Sequence, residues 1–436
     1  MEEKKKLSLI RRISSFNPSQ LAIYLSKQAP QLRLAAARML SRKMFGKALL
    51  EMEEEQGKKF LEGIPDKEIA AIISRLKSDD AADIVLLLEK KRTRSVLRLV
   101  KKKKLEKIRP LLKFEEETAG ALMQTEFISV KQGSTVAEAT EKIRESEAGE
   151  NLHYVFAVDK KGRIAGVVSL RKLVLSKPAE KIKSLMNTNV IFSYADEDQE
   201  HVAKKFKEYD LISMPVLDSE KKMLGIITVD DVIDVIEEEA TEDIYRLAGL
   251  DEEESVFSSP QNSIARRTPW LAFNLIIVMI SVSVISLFED TLAALIVLAM
   301  FLPVVANLGG NAGTQTLAVM VRSLALGEIG IKEYKRALKK EIVVGVINGI
   351  IIGFLVGAIA TLWKGNIMIG FVLLLAMLAN QVTAALAGTL VPVLFKWRRI
   401  DPALASSVLI TGATDIMGFL AFLGIATLFW QAGLLA

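Results

Sequence analysis

The chain has 436 residues, of which half are hydrophobic and a quarter charged. Those proportions suit a membrane protein with a soluble portion better than one uniform globular domain. There is no cysteine, which excludes disulfides, thiolate metal sites and Cys nucleophiles. The two histidines, His153 and His201, lie in the charged half, so the apolar half cannot build a histidine-based catalytic triad.

The opening MEEKKKLSLIRRISSF is basic and lacks an apolar core of signal-peptide length, so the charged half is not expected to be exported. A net charge of +5 is modest for this length. Lysine runs such as 101–104 read more readily as solvated helix faces than as nucleic-acid contacts. Through residue 118 the pattern is one of short amphipathic helices, an α-helical N-terminal domain. Pro65-Asp66 marks one helix start, and Ser78-Asp79-Asp80 is expected to cap another.

An internal repeat follows. Met123 opens MQTEFISVKQGSTVAEATEKI and Met186 opens MNTNVIFSYADEDQEHVAKKF. The segment VDKKGRIAGVVSLRKL at 158–173 parallels LDSEKKMLGIITVDDV at 217–232. Each copy reads strand, helix, strand, turn, strand, helix, with buried-strand candidates at 154–158 and 214–217. The two copies, 119–182 and 183–240, resemble a tandem pair of CBS domains. In the second, Gly225-Ile226-Ile227-Thr228-Val229-Asp230-Asp231 fits the family's ribose-contact pattern. The resemblance therefore implies a nucleotide site at Thr228 and Asp231, with ATP as the candidate ligand. The first copy has Gly166 and Ser169 but Lys172 where the Asp is expected.

Next comes an acidic helix, VIDVIEEEATEDIYRL at 232–247, within a connecting segment that reaches residue 265. Asp231, Asp234, Glu238, Glu239, Glu242 and Asp243 crowd two or three turns, where like charges at spacings of three and four repel. A solvated acidic face and an ion-sensing surface are the two readings. Bound Mg²⁺ would cancel the repulsion.

From residue 266 onward, five stretches are long and apolar enough to cross a bilayer: 270–288, 292–321, 342–363, 367–395 and 403–430. Arg266 and Arg267 precede the first. Lys332, Lys335, Arg336, Lys339 and Lys340 lie between the second and third, and Lys396, Arg398 and Arg399 between the fourth and fifth. The positive-inside rule then puts the N-terminus in the cytosol and the C-terminus outside, in a multi-pass protein of the cell membrane.

Two polar features interrupt the spans. Asp415, in TGATDIMGF, is the only charged residue after Pro402 and is expected near the middle of its span, facing a pathway. The segment PVVANLGGNAGTQ at 303–315 combines glycines with Asn307, Asn311 and Gln315. Its glycines permit either close helix packing or an unwound, pore-lining backbone. Asn380 and Gln381 add amides to the fourth span. Carboxylate, amide and carbonyl oxygens suit a hard cation, and Mg²⁺ is commonly held with several waters in place. A symmetric dimer would bring two Asp415 side chains around one hydrated ion. These residues define the candidate pore site as Asp415, Asn311, Gly310 and Gln315.

The order of parts resembles the MgtE family of magnesium transporters, a multidomain α plus α/β membrane protein: α-helical N-domain, CBS-domain pair, acidic connecting helix and five-helix transmembrane domain from 266 to 436. The resemblance rests on EEETAGALM (115–123), TVDDVIDVIEEEATEDIYRLAG (228–249), NLGGNAGTQ (307–315), DPALASS and TGATDIMGF. It implies a homodimer in the lipid bilayer, not an enzyme and without nucleic acid, that passes Mg²⁺ and is closed by it. By motif, Asp415 would hold the hydrated ion and Asp401 would meet the acidic helix through a bound ion. Asp231, Asp234, Glu239, Glu242 and Asp243 match regulatory acidic positions, Asp198, Glu200, Asp210 and Gly120 further Mg²⁺ contacts, and Asp79 and Asp83 N-domain contacts. Thr314 stands where the family often has Asn. A broader divalent-cation (Co²⁺, Ni²⁺, Mn²⁺) transporter and a nucleotide-responsive sensor without transport remain the alternatives.

Overall fold

The computed structural model describes residues 16–27, 40–146, 152–251, 254, 256, 258–330, 333–405 and 407–435. Most of the basic N-terminus, and Lys332 of the second basic loop, lie outside the described residues. The chain forms two compact units, Met1–Glu237 and Glu238–Ala436.

The first unit begins with helices α1 (Pro18–Ser26), α2 (Arg42–Leu50), α3 (Glu54–Glu62), α4 (Asp66–Ile73), α5 (Ser78–Leu86), α6 (Lys90–Leu99) and α7 (Lys102–Leu111). Pro65 is the N-cap of α4, as its sequence suggests. The expected cap on α5 is not made. Lys77 is the N-cap, and the Ser78 hydroxyl turns away to donate to Glu126 Oε2 at 2.6 Å. A long-range carboxylate outbids the local backbone for that hydroxyl.

Helix α8 (Ala119–Leu122) leads into the repeat. The first copy has β1 (Ser129–Lys131), α9 (Val136–Glu145), β2 (Tyr154–Val158), β3 (Ile164–Ser169) and α10 (Leu170–Leu175); α11 (Ile182–Leu185) links it to the second. That copy has β4 (Ser193–Tyr194), α12 (Gln199–Tyr209), β5 (Ser213–Leu217), β6 (Met223–Thr228) and α13 (Val229–Leu247). Both sheets have the same topology, a parallel pair and then an antiparallel pair. The cores are divided unevenly. The first copy packs Val130, Val155, Ala157 and Leu173 into a core of its own. The second shares one core with the N-terminal helices, from Phe45 and Ile73 to Val202, Met214 and Val232. Burying that shared apolar surface at about 25 cal/mol per Å² is what seats α5 against the second copy.

Helix α13 runs unbroken through residue 240, where the sequence suggested a domain boundary. The second unit then holds, among the described residues, five helices long and apolar enough to cross a membrane. They are α14 (Pro260–Ser286), a second span that follows the short α15 (Glu289–Ala294), then α17 (Tyr334–Lys364), α18 (Ile367–Trp397) and α19 (Ser407–Gln431). The second span starts as a 3₁₀ turn, Ile296–Phe301, and continues as α16 (Leu302–Ala325).

Helix α16 is continuous through 303–315, so the glycines there do not unwind it. They serve close approach instead. A Cβ on Gly309 would come within 2.2 Å of the Asn380 amide, and one on Gly313 within 2.4 Å of Ile410. Helices α17 and α18 meet in the same way. Gly345, Gly349, Gly353 and Gly357 recur every fourth residue on one buried face of α17. A Cβ on Gly345 would lie 2.8 Å from the Gln381 carbonyl oxygen, and one on Gly357 2.5 Å from that of Gly370. Small residues at this spacing let two backbones touch, which drives helix association where lipid supplies no hydrophobic force.

Candidate functional site

In the membrane unit the two faces of α16 divide the work. Gly309, Gly310, Gly313, Thr316 and Leu317 are buried, while Asn307, Asn311 and Gln315 are exposed along the opposite face. Asn311 Nδ2 donates to Asn307 Oδ1 at 3.0 Å. Thr314 falls beside this amide stripe, partly buried. Gly310 packs on Thr411, where a Cβ would come within 2.9 Å of the Thr411 methyl. That contact sets α16 beside α19, and Asp415 stands one turn beyond Thr411, partly exposed. Asp415 is the ninth residue of the 25-residue α19. It lies about a third of the way along rather than at the middle, because the helix begins at Ser407, after a 3₁₀ turn over Pro402–Leu404.

The amides of the fourth span brace this arrangement. Asn380 is fully buried and donates to the Val305 carbonyl at 2.7 Å. Gln381 donates to the Leu308 carbonyl at 3.2 Å. Sequence reasoning missed a second carboxylate in this unit, Glu341 near the start of α17, which is 5 % exposed. It accepts from Thr316 Oγ1 at 3.3 Å and pairs with Lys340. Its signal was available: Glu341 heads the four-residue glycine series of α17 and so shares its buried face.

At the end of α13, Glu242 is buried and both it and Asp401 bond the guanidinium of Arg246. Asp401 also accepts from the Ala403 amide at 2.9 Å, which fixes its side chain at the head of the 3₁₀ turn. Glu239, Glu242, Asp243 and Arg246 fall at i, i+3, i+4 and i+7, on one helix face. After α13, Gly249 turns with φ +71° and packs under the Trp270 ring of α14. Glu254 then binds Arg267 at 2.6 Å and Ser263 at 2.8 Å.

A separate acidic cluster lies within the first unit, where α5 meets the start of α13. Asp79 is 6 % exposed. Burial, then the carboxylates of Asp231 and Asp80, raise its pKa well above the usual range. Asp231 is pushed up to about 6, chiefly by burial, against the opposing hydrogen bond from Thr228. Asp234 is raised by partial burial and by Glu51, Glu237 and Asp230. Lys77 offsets part of this charge and lies 3.7 Å from Asp230. Behind the cluster Glu126 anchors the junction, taking bonds from Ser78, Lys104 at 3.4 Å and Lys107 at 3.2 Å. Although burial pushes its pKa up, those partners hold it below the ordinary value. Asp83, on the same helix as Asp79, is exposed.

The remaining candidates divide into two places. Asp198 caps α12, accepting from the Glu200 amide at 2.8 Å, while Glu200 pairs with Lys204 at 3.0 Å. Thr118 bridges to Asp198, and the Gly120 amide donates to the Ala195 carbonyl at 2.8 Å, so Gly120 belongs to this corner. Asp210 ends α12 with φ 50°, about 18 Å from the cap along an 11-residue helix, so it belongs elsewhere. Among the described residues no three Asp, Glu or His side chains converge into a ready metal cage.

Thr228, expected to face a nucleotide, is buried, donating to Asp231 Oδ2 at 2.7 Å and accepting from Gln124 at 3.2 Å. An open cavity of about 560 Å³ lies instead beside the first copy, lined in part by His153, Tyr154, Ser169, Arg171 and Ile212.

A soluble unit with a duplicated αβ module, joined to a multi-pass unit whose spans carry one carboxylate, Asp415, and an exposed amide stripe, defines a membrane transporter by class. Family profiles agree part by part. The MgtE intracellular N domain matches 16–117, the CBS domain matches 119–176 and 182–238, and the MgtE divalent cation transporter domain matches 302–425. The magnesium transporter MgtE of Enterococcus faecalis is 38 % identical over 74 % of this chain and 72 % of its own. That of Bacillus subtilis is 32 % identical over 87 % and 84 %. The solved cytosolic domain of the Mg²⁺ channel MgtE in complex with ATP covers 54 % of this chain and 96 % of its own, at 29 % identity and a TM-score of 0.51. The chain belongs to the MgtE family of divalent cation transporters.

Proposed function

We propose that the chain passes hydrated Mg²⁺ through a pore formed by two copies, with its N-terminus in the cytosol, and that cytosolic Mg²⁺ closes it. The exposed stripe Asn307, Asn311 and Gln315 carries this reading. Amides on the outside of a spanning helix are costly against lipid and inexpensive against water or a second copy. Asp415, one turn from the Gly310–Thr411 contact, supplies the charge beside them. One carboxylate per chain suits an ion that keeps most of its water. Mg²⁺ is the proposed cargo because the family's curated relatives are magnesium transporters.

For regulation, the donor sets fit a small hard cation. Asp79 and Asp231 carry a repulsion that a divalent ion would cancel, and Glu242 and Asp401 already converge on one cationic group. A CBS-bound nucleotide is part of the same reading, supported by the ATP complex of the solved relative. The cavity beside Ser169 and Arg171 is the concave surface open to it. The test is Mg²⁺ uptake into proteoliposomes by wild type and Asp415→Asn. Flux in the first and loss of flux in the second are expected. Equal flux in both rules out Asp415 as the pore site.

A further inference from the structure

Arg246 was not among the residues that the sequence marked for function, yet it occupies the point where Glu242 and Asp401 converge. We propose that Arg246 is a tethered counter-cation which makes this carboxylate pair respond to divalent and not to monovalent cations. The inference rests on the reading above, in which Asp401 and the acidic helix hold a regulatory ion.

The charge count carries it. Two carboxylates and one guanidinium leave a net charge of −1. A divalent ion that displaces Arg246 brings the pair to zero, whereas one bound beside it gives +1 and meets cationic repulsion. A monovalent ion that displaces Arg246 only restores −1 and forfeits the bonds of a planar, multi-donor group that suits carboxylates. K⁺ therefore gains nothing at this position, while Mg²⁺ does.

The geometry lets the arginine leave. Its side chain is 26 % exposed, and it sits one residue from the end of α13. A displaced guanidinium there remains near the carbonyl-rich helix C-terminus, which favours a cation.

The test is hydrogen exchange of segment 238–250 in the full-length protein in detergent, titrated with Mg²⁺. Each titration is run in about 0.15 M KCl and again in tetramethylammonium chloride at the same ionic strength, so that screening is equal. In wild type the Mg²⁺ midpoint is expected to agree in the two salts. In Arg246→Gln it should fall by about threefold or more in tetramethylammonium, the range of a partly exposed ion pair, and rise again in KCl. Arg246→Lys, with a single ammonium, should shift less in the same direction. An unchanged or raised midpoint in either variant, or no K⁺ sensitivity in Arg246→Gln, overturns the inference. Asp401→Asn separates it from its premise: persistence of the Mg²⁺ response there defeats the regulatory reading itself. Loss there with an unchanged Arg246→Gln defeats the role of Arg246 alone.

Discussion

Asp79 is buried against Asp231, and that burial together with the facing carboxylate lifts its pKa well above the ordinary range. The two residues come from α5 and from the first turn of α13, so the strain falls on the seam that their shared core holds closed.

A pH dependence follows. A carboxyl whose folded pKa exceeds its unfolded value binds its proton more tightly when folded. Its penalty is full above the raised value and fades as pH falls through it. Asp231 is raised to about 6 and Asp79 in the same direction. Without Mg²⁺, the first unit should therefore melt higher at a pH of about 5.5 than at about 7.5. Saturating Mg²⁺ should flatten the difference. Thermal scans of the full chain at both pH values, with and without Mg²⁺, measure it, and a higher melting temperature at the alkaline end contradicts it.

Neutralising Asp231, Asp234 and Glu239 together should leave uptake active when Mg²⁺ inside the vesicle is high, where wild type is expected to close. Normal closure in the triple variant shows that the gating ions are held elsewhere.

The lack of cysteine makes the proposed dimer directly testable. With no native thiol present, Asn311→Cys introduces one site on the exposed amide stripe. If two stripes face each other, mild oxidation in membranes should give a covalent dimer, while Ile351→Cys, on the exposed apolar face of α17, should not. Equal cross-linking at both positions argues against a paired stripe.

Gly345→Leu places a branched side chain where even a Cβ meets the Gln381 carbonyl at 2.8 Å. Overpacking of this kind costs about 1–3 kcal/mol. The melting temperature in detergent should fall, whereas Gly424→Leu, whose nearest contact is at 3.9 Å, should leave it nearly unchanged.

Glu341→Gln keeps an acceptor for Thr316 and should preserve folding. Glu341→Ala leaves the buried Thr316 hydroxyl unpaired and should destabilise by about 1–3 kcal/mol. The two melting curves decide whether the hydrogen bond or the charge matters.

Much of the architecture could be read from patterns that depend on local spacing. The repeat, the spans and the acidic helix are periodic, and periodicity survives in any tertiary context. What escaped depended on distant partners. Ser78 looks like a cap until Glu126 is known to lie beside it. The glycines of α16, with the amides beside them, read as an unwound pore lining until Asn380 and Ile410 are seen to fill the space opposite. Thr228 matches a nucleotide motif, yet its hydroxyl is committed to Asp231. Arg246 is an ordinary helix-terminal arginine until Asp401 is placed next to it. Glu341 alone could have been found by spacing, through the glycines that follow it in phase.

The glycine face of α17 also constrains how the membrane unit can work. A contact made of backbone against backbone has no side-chain rotamers to rearrange, and sliding by one residue would drive a Cβ into a carbonyl. The close backbone packing of helices α17 and α18 therefore resists internal shear. An opening movement would fall on joints with deformable packing, and α14, nearly all of whose apolar surface is uncovered within its own unit, has the least packing there to disturb.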